Sequence, residues 1–235
     1  MMRGMNLADV FPWYDWLALA WFFAVWSGYA WYSRAASARG ETLLAVTNRW
    51  RRAWLVQATD RENRVVDSTI VQALSNSPSF FASTTILIIG GLLALMGTSD
   101  KAAEMVADLP FAARTSMLAL ELKLLLMLVI FTFAFFRFTW SIRQYTFAAL
   151  ILGAMPAPEA FAAGEADREA VADRGAALVG MAAESFNDGV RAYYFAFAVL
   201  AWFFSPVAFA VGAALVVAVL YGREFHSTVL RLLRD

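Results

Sequence analysis

Long apolar runs alternate with polar stretches along this chain, and the runs have the length of a bilayer crossing. A spanning helix needs about 20 mainly apolar residues to cross about 30 Å of hydrocarbon. Four segments meet that requirement: residues 13–32, 79–96, 111–140 and 192–221. The first carries one charge, Asp15. Trp13, Tyr14 and Trp16 flank one end and Trp31 and Tyr32 the other, as interfacial anchors do. The second follows Ser77-Pro78, which reads as an N-cap and first-turn proline. The fourth is interrupted by Ser205-Pro206. Its halves, about 13 and 15 residues, would reach only about 20 to 22 Å each at the helical rise. One long helix, tilted and kinked at Pro206, fits best. A re-entrant hairpin is the alternative.

The intervening polar stretches, 33–78 and 141–190, are expected to carry helices of their own. Seven arginines fall between positions 34 and 64. Leu43, Val46, Trp50 and Trp54 recur at helical spacing with Arg49, Arg51 and Arg52 interleaved, the pattern of a helix lying on an anionic membrane face. Arg49, Trp50, Arg51, Arg52 and Trp54 are therefore candidate lipid-contacting residues, with ordinary packing on the bundle as the plainer reading. Thr59 and Glu62 have the spacing of a capping box that opens a second helix. Pro156-Ala157-Pro158 precedes an alanine-rich helix around residues 165–186, for which Asn187-Asp188-Gly189 reads as the stop. The expected fold is all-α: a single membrane domain over residues 1–235, a polytopic bundle of about four spans with cytoplasmic amphipathic helices.

Composition agrees with a lipid-facing surface. The chain has 235 residues, 61% hydrophobic and 16% charged, against about a quarter charged in soluble domains. Net charge is zero, so no global field recruits nucleic acid. No cysteine is present and His226 is the single histidine. That removes disulfides, thiolate metal sites and cysteine nucleophiles, and leaves little material for a histidine metal site. No metal or cofactor is expected. The N-terminus, with Asp9 and Asp15 and no small-residue cleavage site, does not read as a signal peptide.

Lysine and arginine set the expected orientation. With the N-terminus outside, the stretches 33–78 and 141–190, with Arg137 and Arg191, hold twelve arginines; Arg3, Lys101, Arg114, Arg223, Arg231 and Arg234 make six outside. The three tail arginines count against a four-span path, and a hairpin at Pro206 would bring them inside.

The third span contains Lys123 and Arg137, separated by 13 uncharged residues, or about 20 Å of helix. At least one of these charges therefore begins inside the hydrocarbon. Snorkelling toward opposite faces is the simplest account. The two positions are also about 40° apart around the helix. Ser116, Lys123, Ile130, Arg137 and Gln144 follow at seven-residue intervals, so Ser116, Lys123, Arg137 and Gln144 form a candidate intramembrane polar seam. Partners would come from elsewhere: Asp15, Glu104 or Asp108 for Lys123, and Asp67, Asp188 or helix-end carbonyls for Arg137. In the second span Ser79, Ser83, Thr84, Thr85, Gly90 and Gly91 are small or hydroxylated, suited to close helix approach.

Three stretches carry a resemblance: VQALSNSPSFFASTTILIIGG at 71–91, FFRFTWSIRQY at 135–145 and LAWFFSPVAF at 200–209. With Arg52, Trp54, Leu220 and Tyr221, they resemble a domain-of-unknown-function membrane family of bacteria and plants. The resemblance implies a polytopic membrane protein with a long cytoplasmic first loop, and it transfers no catalytic or binding residue. The arginine- and alanine-rich style points to a bacterial inner membrane.

Hydrolase, metalloprotease and phosphate-loop motifs are absent from the sequence, so an enzyme is not expected. Asp60, Glu62 and Asp67 are the nearest approach to a cation cluster. The expected function is a scaffold, accessory or regulatory subunit with a cytoplasmic platform. The expected partners are anionic lipid headgroups and either other copies of the chain or a larger membrane complex. The alternative is an oligomeric channel or transporter for a small solute, with the Lys123–Arg137 stripe around a shared axis, where cations would favour an anion.

Overall fold

The computed structural model describes residues 11–98 and 116–234. These residues form helices and no strand. In chain order they are α1 (Trp13–Ala38), α2 (Leu43–Ala58), α3 (Val65–Gly97), α4 (Met117–Gly153), α5 (Pro158–Ala162), α6 (Arg168–Ala201), α7 (Pro206–Phe225) and α8 (Thr228–Arg234). Three of the described helical segments are long and apolar enough to cross a membrane: Val65–Gly97, Met117–Gly153 and Pro206–Arg234, the last running α7 into α8. The fold is thus an all-α membrane protein. α1, with 26 residues, is less apolar on average than α3, α4 and α7.

Several sequence expectations need correction. Pro78 is not a helix start: α3 opens at Val65, where the Asn63 side chain accepts the Val65 N–H at 3.0 Å, and it continues through Pro78. Thr59 does not open a helix but ends α2, its hydroxyl donating to the Val56 carbonyl at 2.6 Å. Thr42 begins α2, accepting from the Ala45 N–H at 3.1 Å. Asn187-Asp188-Gly189 is no stop either, because α6 runs unbroken through it. The start expected near residue 111 falls partly outside the described residues. The described helix opens at Met117, and it runs on to Gly153 rather than ending near 140.

The largest correction concerns the fourth span, which is two helices. α6 ends at Ala201, where the Phe204 and Ser205 N–H groups close on the Ala201 carbonyl, and α7 begins at Pro206. A Cβ placed on Gly212 would lie 3.5 Å from Ala198 Cα. In one continuous helix these positions would be about 21 Å apart along the axis. The segment is therefore a helical hairpin. The length objection to a hairpin fails because α6 draws its length from the alanine-rich stretch before residue 192 and has 34 residues.

The chain divides into two compact units. The first contains residues up to Arg34, Thr85–Phe133 and Arg191–Arg223, including the hairpin. Its core is an aromatic stack. Phe22 lies 4.9 Å from Phe209 and 5.6 Å from Phe195; Trp26 stacks on Phe195 at 5.0 Å and Trp202 on Phe209 at 4.8 Å. Such pairs add about 0.5–1.5 kcal/mol each beyond area burial.

The second unit contains Ala35–Thr84, Ala134–Val190 and the residues from Glu224 onward. Its core is aliphatic and alanine-rich: Leu55, Ala58, Val71, Ala148, Leu152, Ala172, Val179 and Ala182, with Tyr145 and Phe161. Small residues let α6 approach closely. A Cβ on Gly175 would meet Leu55 at 2.9 Å, and one on Gly189 would meet the buried Phe138 ring at 2.5 Å. Arg64 fastens the turn before α5, donating to the carbonyls of Ala58, Met155 and Pro156 at 3.1, 3.0 and 2.6 Å.

Candidate functional site: a polar seam among the membrane helices

Lys123 lies in the first unit and is 3% exposed. Its Nζ donates to the Trp202 carbonyl at 3.0 Å and sits over the Trp202 and Phe203 rings, 5.3 and 5.6 Å from their centroids. Trp202 Nε1 in turn donates to Asp15 Oδ1 at 2.6 Å. The cation and the buried carboxylate thus share one indole-bearing residue at the hairpin turn. The break at Ser205-Pro206 explains the geometry: ending α6 leaves the Trp202 carbonyl without a helical partner, and the ammonium takes it. Of the counter-charges expected for Lys123, Asp15 is the one this arrangement brings near; Glu104 and Asp108 lie outside the described residues.

Arg137 belongs to the second unit. Its guanidinium donates to Asp188 Oδ2 at 2.5 Å, with side-chain exposures of 28% and 6%. Toward the C-terminus of α4 the contact continues against α6, which runs antiparallel. The Ser141 hydroxyl donates to the Ala182 carbonyl at 2.7 Å. Gln144 sits 2.8 Å from the Ser185 hydroxyl, and its amide also reaches the Met181 carbonyl and Trp140 Nε1, each at 3.2 Å. Ile130 is buried. Ser116 stands apart from the seam: it is exposed and caps α4, accepting the Ala119 N–H at 3.3 Å. Asp67 does not meet Arg137. It is fully buried in α3 and receives Arg61 and, at 2.7 Å, Trp54 Nε1.

Sequence reasoning missed other buried polar contacts. Arg191 is buried in the first unit, donating to the Ser33 hydroxyl at 2.8 Å and lying over the Tyr29 ring at 5.6 Å. Thr85 and Tyr193 share a hydrogen bond at 2.7 Å. An arginine just after the Asn-Asp-Gly triplet was the available signal, and reading that triplet as a helix stop concealed it. The small-residue face of α3 is only partly used among the described residues. Thr85 is buried, whereas a Cβ at Gly90 or Gly91 would find no atom within 4 Å.

The candidate lipid-contacting residues of α2 point in several directions. Arg51 donates to Thr47 and Asn48 at 3.0 and 2.6 Å, and burial lowers its pKa from the usual guanidinium value. Arg52 pairs with Asp173 at 2.6 Å and with Glu169, and the Asp173 hydrogen bond leads the causes that raise its pKa. Trp54 is tied to Asp67. Arg49 and Trp50 are exposed. Beside Arg52, Asn48, Asp173 and Glu184 line a shallow pocket of about 400 Å³. Asp60 pairs with Arg168 at 2.5 Å and Asp67 with Arg61. Among the described residues no three His, Asp or Glu gather as a metal site would require.

Residues 17–229 match a family described as protein of unknown function, DUF599. The chain belongs to that family. No curated protein and no solved structure matches it. For this DUF599 member the seam therefore stands on its own geometry. It is a set of charged and polar side chains of α4 that meet the Trp202 carbonyl, Asp188 and Ser185.

Proposed function

We propose that this DUF599 protein is an integral membrane scaffold or accessory subunit whose second unit offers a platform to other proteins. The observation that carries this reading is the engagement of the seam. Lys123 is committed to Trp202, Arg137 to Asp188 and Gln144 to Ser185. A cationic filter needs charges facing a water path, and each of these two cations makes a hydrogen bond within the chain, to the Trp202 carbonyl and to Asp188, with Arg137 Nε buried and unpartnered. The α2–α6 face supports the platform role, since its ion pairs and shallow polar pocket are features that a soluble segment of a partner can engage.

The hairpin also bears on orientation. Moving Arg223, Arg231 and Arg234 to the side of the polar stretches changes the lysine and arginine balance from twelve against six to fifteen against three. We read the N-terminus as outside and the C-terminus as cytoplasmic, in a bacterial inner membrane.

Reconstitution into vesicles holding a chloride-sensitive dye tests the function. Wild-type protein is expected to leak no faster than empty vesicles. Chloride flux abolished by Lys123→Met would overturn the scaffold reading and restore the channel.

A further inference from the structure

α8 is a short helix with three distinct sides. At 100° per residue, Leu232 and Val229 lie about 60° apart on one side and Arg231 and Arg234 about 60° apart on another. Leu230 and Leu233 fill the side between Val229 and Arg234. Leu230 is buried, and the Leu233 carbonyl accepts Trp50 Nε1 of α2 at 3.1 Å. Arg234 donates to the Glu41 carbonyl at 2.6 Å just before α2. The helix is thus pinned to α2, yet it leaves Leu232 and Val229, 73% and 53% exposed, pointing outward with Arg231. Trp50, 57% exposed and bonded to the Leu233 carbonyl, adjoins α8, and Arg49 is the exposed residue before it in α2.

Chain connectivity fixes where this surface lies. α7 is apolar enough to cross a bilayer, and two residues separate it from α8, so the Phe225 and Thr228 Cα atoms are at most about 11 Å apart. Tyr221, one turn before α7 ends, lies 6.2 Å from Tyr32, with Trp31 exposed beside it, so an aromatic belt marks the membrane boundary there. A soluble surface gains nothing from a Leu and a Val held outward by two side-chain anchors. A membrane interface rewards that arrangement, with apolar side chains at the acyl boundary and arginines at the phosphates.

We propose that α8, with Arg49 and Trp50, is an interfacial helix that binds the anionic phospholipid surface of the membrane that α7 crosses. The α2 residues that bind lipid are then Arg49 and Trp50, while Arg51, Arg52 and Trp54 serve internal contacts. This inference rests on the membrane-spanning reading of α7, but it is independent of the scaffold role and of which side the tail occupies.

The chain has no native cysteine, so a nitroxide on Leu232→Cys reports this one site in the full-length protein. Collision rates with oxygen and with a neutral nickel chelate would be read in two kinds of vesicle: phosphatidylcholine alone, and phosphatidylcholine with about one-third phosphatidylglycerol. Both leaflets carry the same lipid, so an inverted protein gives the same result. The expected outcome in anionic vesicles is frequent oxygen and rare nickel collision. Added salt, or Arg49→Gln with Arg231→Gln, should shift the label at least twofold toward water. Water-like collision rates in both lipids would overturn the proposal. So would equal immersion in both, or exclusion of both reagents, which would mean that a second copy covers the patch.

Discussion

In the first unit Lys123 is held by a backbone carbonyl and two aromatic faces, with a carboxylate one residue removed; in the second Arg137 is held directly by Asp188. Both are cations among apolar helices, yet they differ in what each would leave behind. Loss of the ammonium frees a carbonyl and lets its ring contacts fill with apolar atoms. Loss of the guanidinium removes the charged partner of a buried carboxylate. The cost of removing a buried charge depends on the group that remains. The second unit should therefore be the more sensitive to a single change, although its cation is the more exposed.

The largest effect is expected from Arg137→Met. Breaking a buried pair costs about 3 to 5 kcal/mol, and the partial exposure of Arg137 places this one near 3. Denaturant unfolding in detergent micelles measures it, and a loss under 1 kcal/mol would mean that Asp188 is satisfied without its partner. Gly189→Ala follows. The added methyl meets the fully buried Phe138 ring where α6 crosses α4, and overpacking of this kind costs about 2 kcal/mol. A wild-type melting temperature would show that the helices separate freely there. Lys123→Met ranks third at about 1 kcal/mol, because the lost carbonyl bond is partly offset by the removed burial of charge. A loss equal to that of Arg137→Met would erase the contrast between the units. Arg52→Gln should leave stability unchanged within error, since the side chains of Arg52, Glu169 and Asp173 are all about half exposed. Its readout is the same unfolding curve, and a clear downward shift would mark that surface pair as structural.

The parts of this molecule that were legible in the sequence are those governed by local pattern. Apolar length announced α3, α4 and the apolar parts of α6 and α7, and seven-residue spacing brought Lys123, Arg137 and Gln144 to one side of α4. Asp188 could be named as a partner for Arg137 from charge alone. What stayed hidden depended on context that the chain does not carry locally. Pro78 has the residues of a helix start, but the preceding turn is already helical and absorbs it. Gly189 has the composition of a helix end, yet it is there to let Phe138 pass. The hairpin was discounted because its halves were measured from their apolar residues only, whereas α6 borrows length from a polar, alanine-rich stretch. The Lys123 site was unreadable for the same reason, since its acceptor is a backbone carbonyl that exists only because the hairpin turns there.

The central claim is that Lys123 and Arg137 find their partners within the chain. A double-mutant cycle at Arg137 and Asp188 tests it most directly, with Arg137→Met, Asp188→Leu and the pair compared by unfolding free energy. The account predicts that the double variant is more stable than the sum of the single losses implies, with a coupling of about 2 kcal/mol or more. Additive losses would show that the two side chains do not depend on each other and that Arg137 is free to serve something outside the chain.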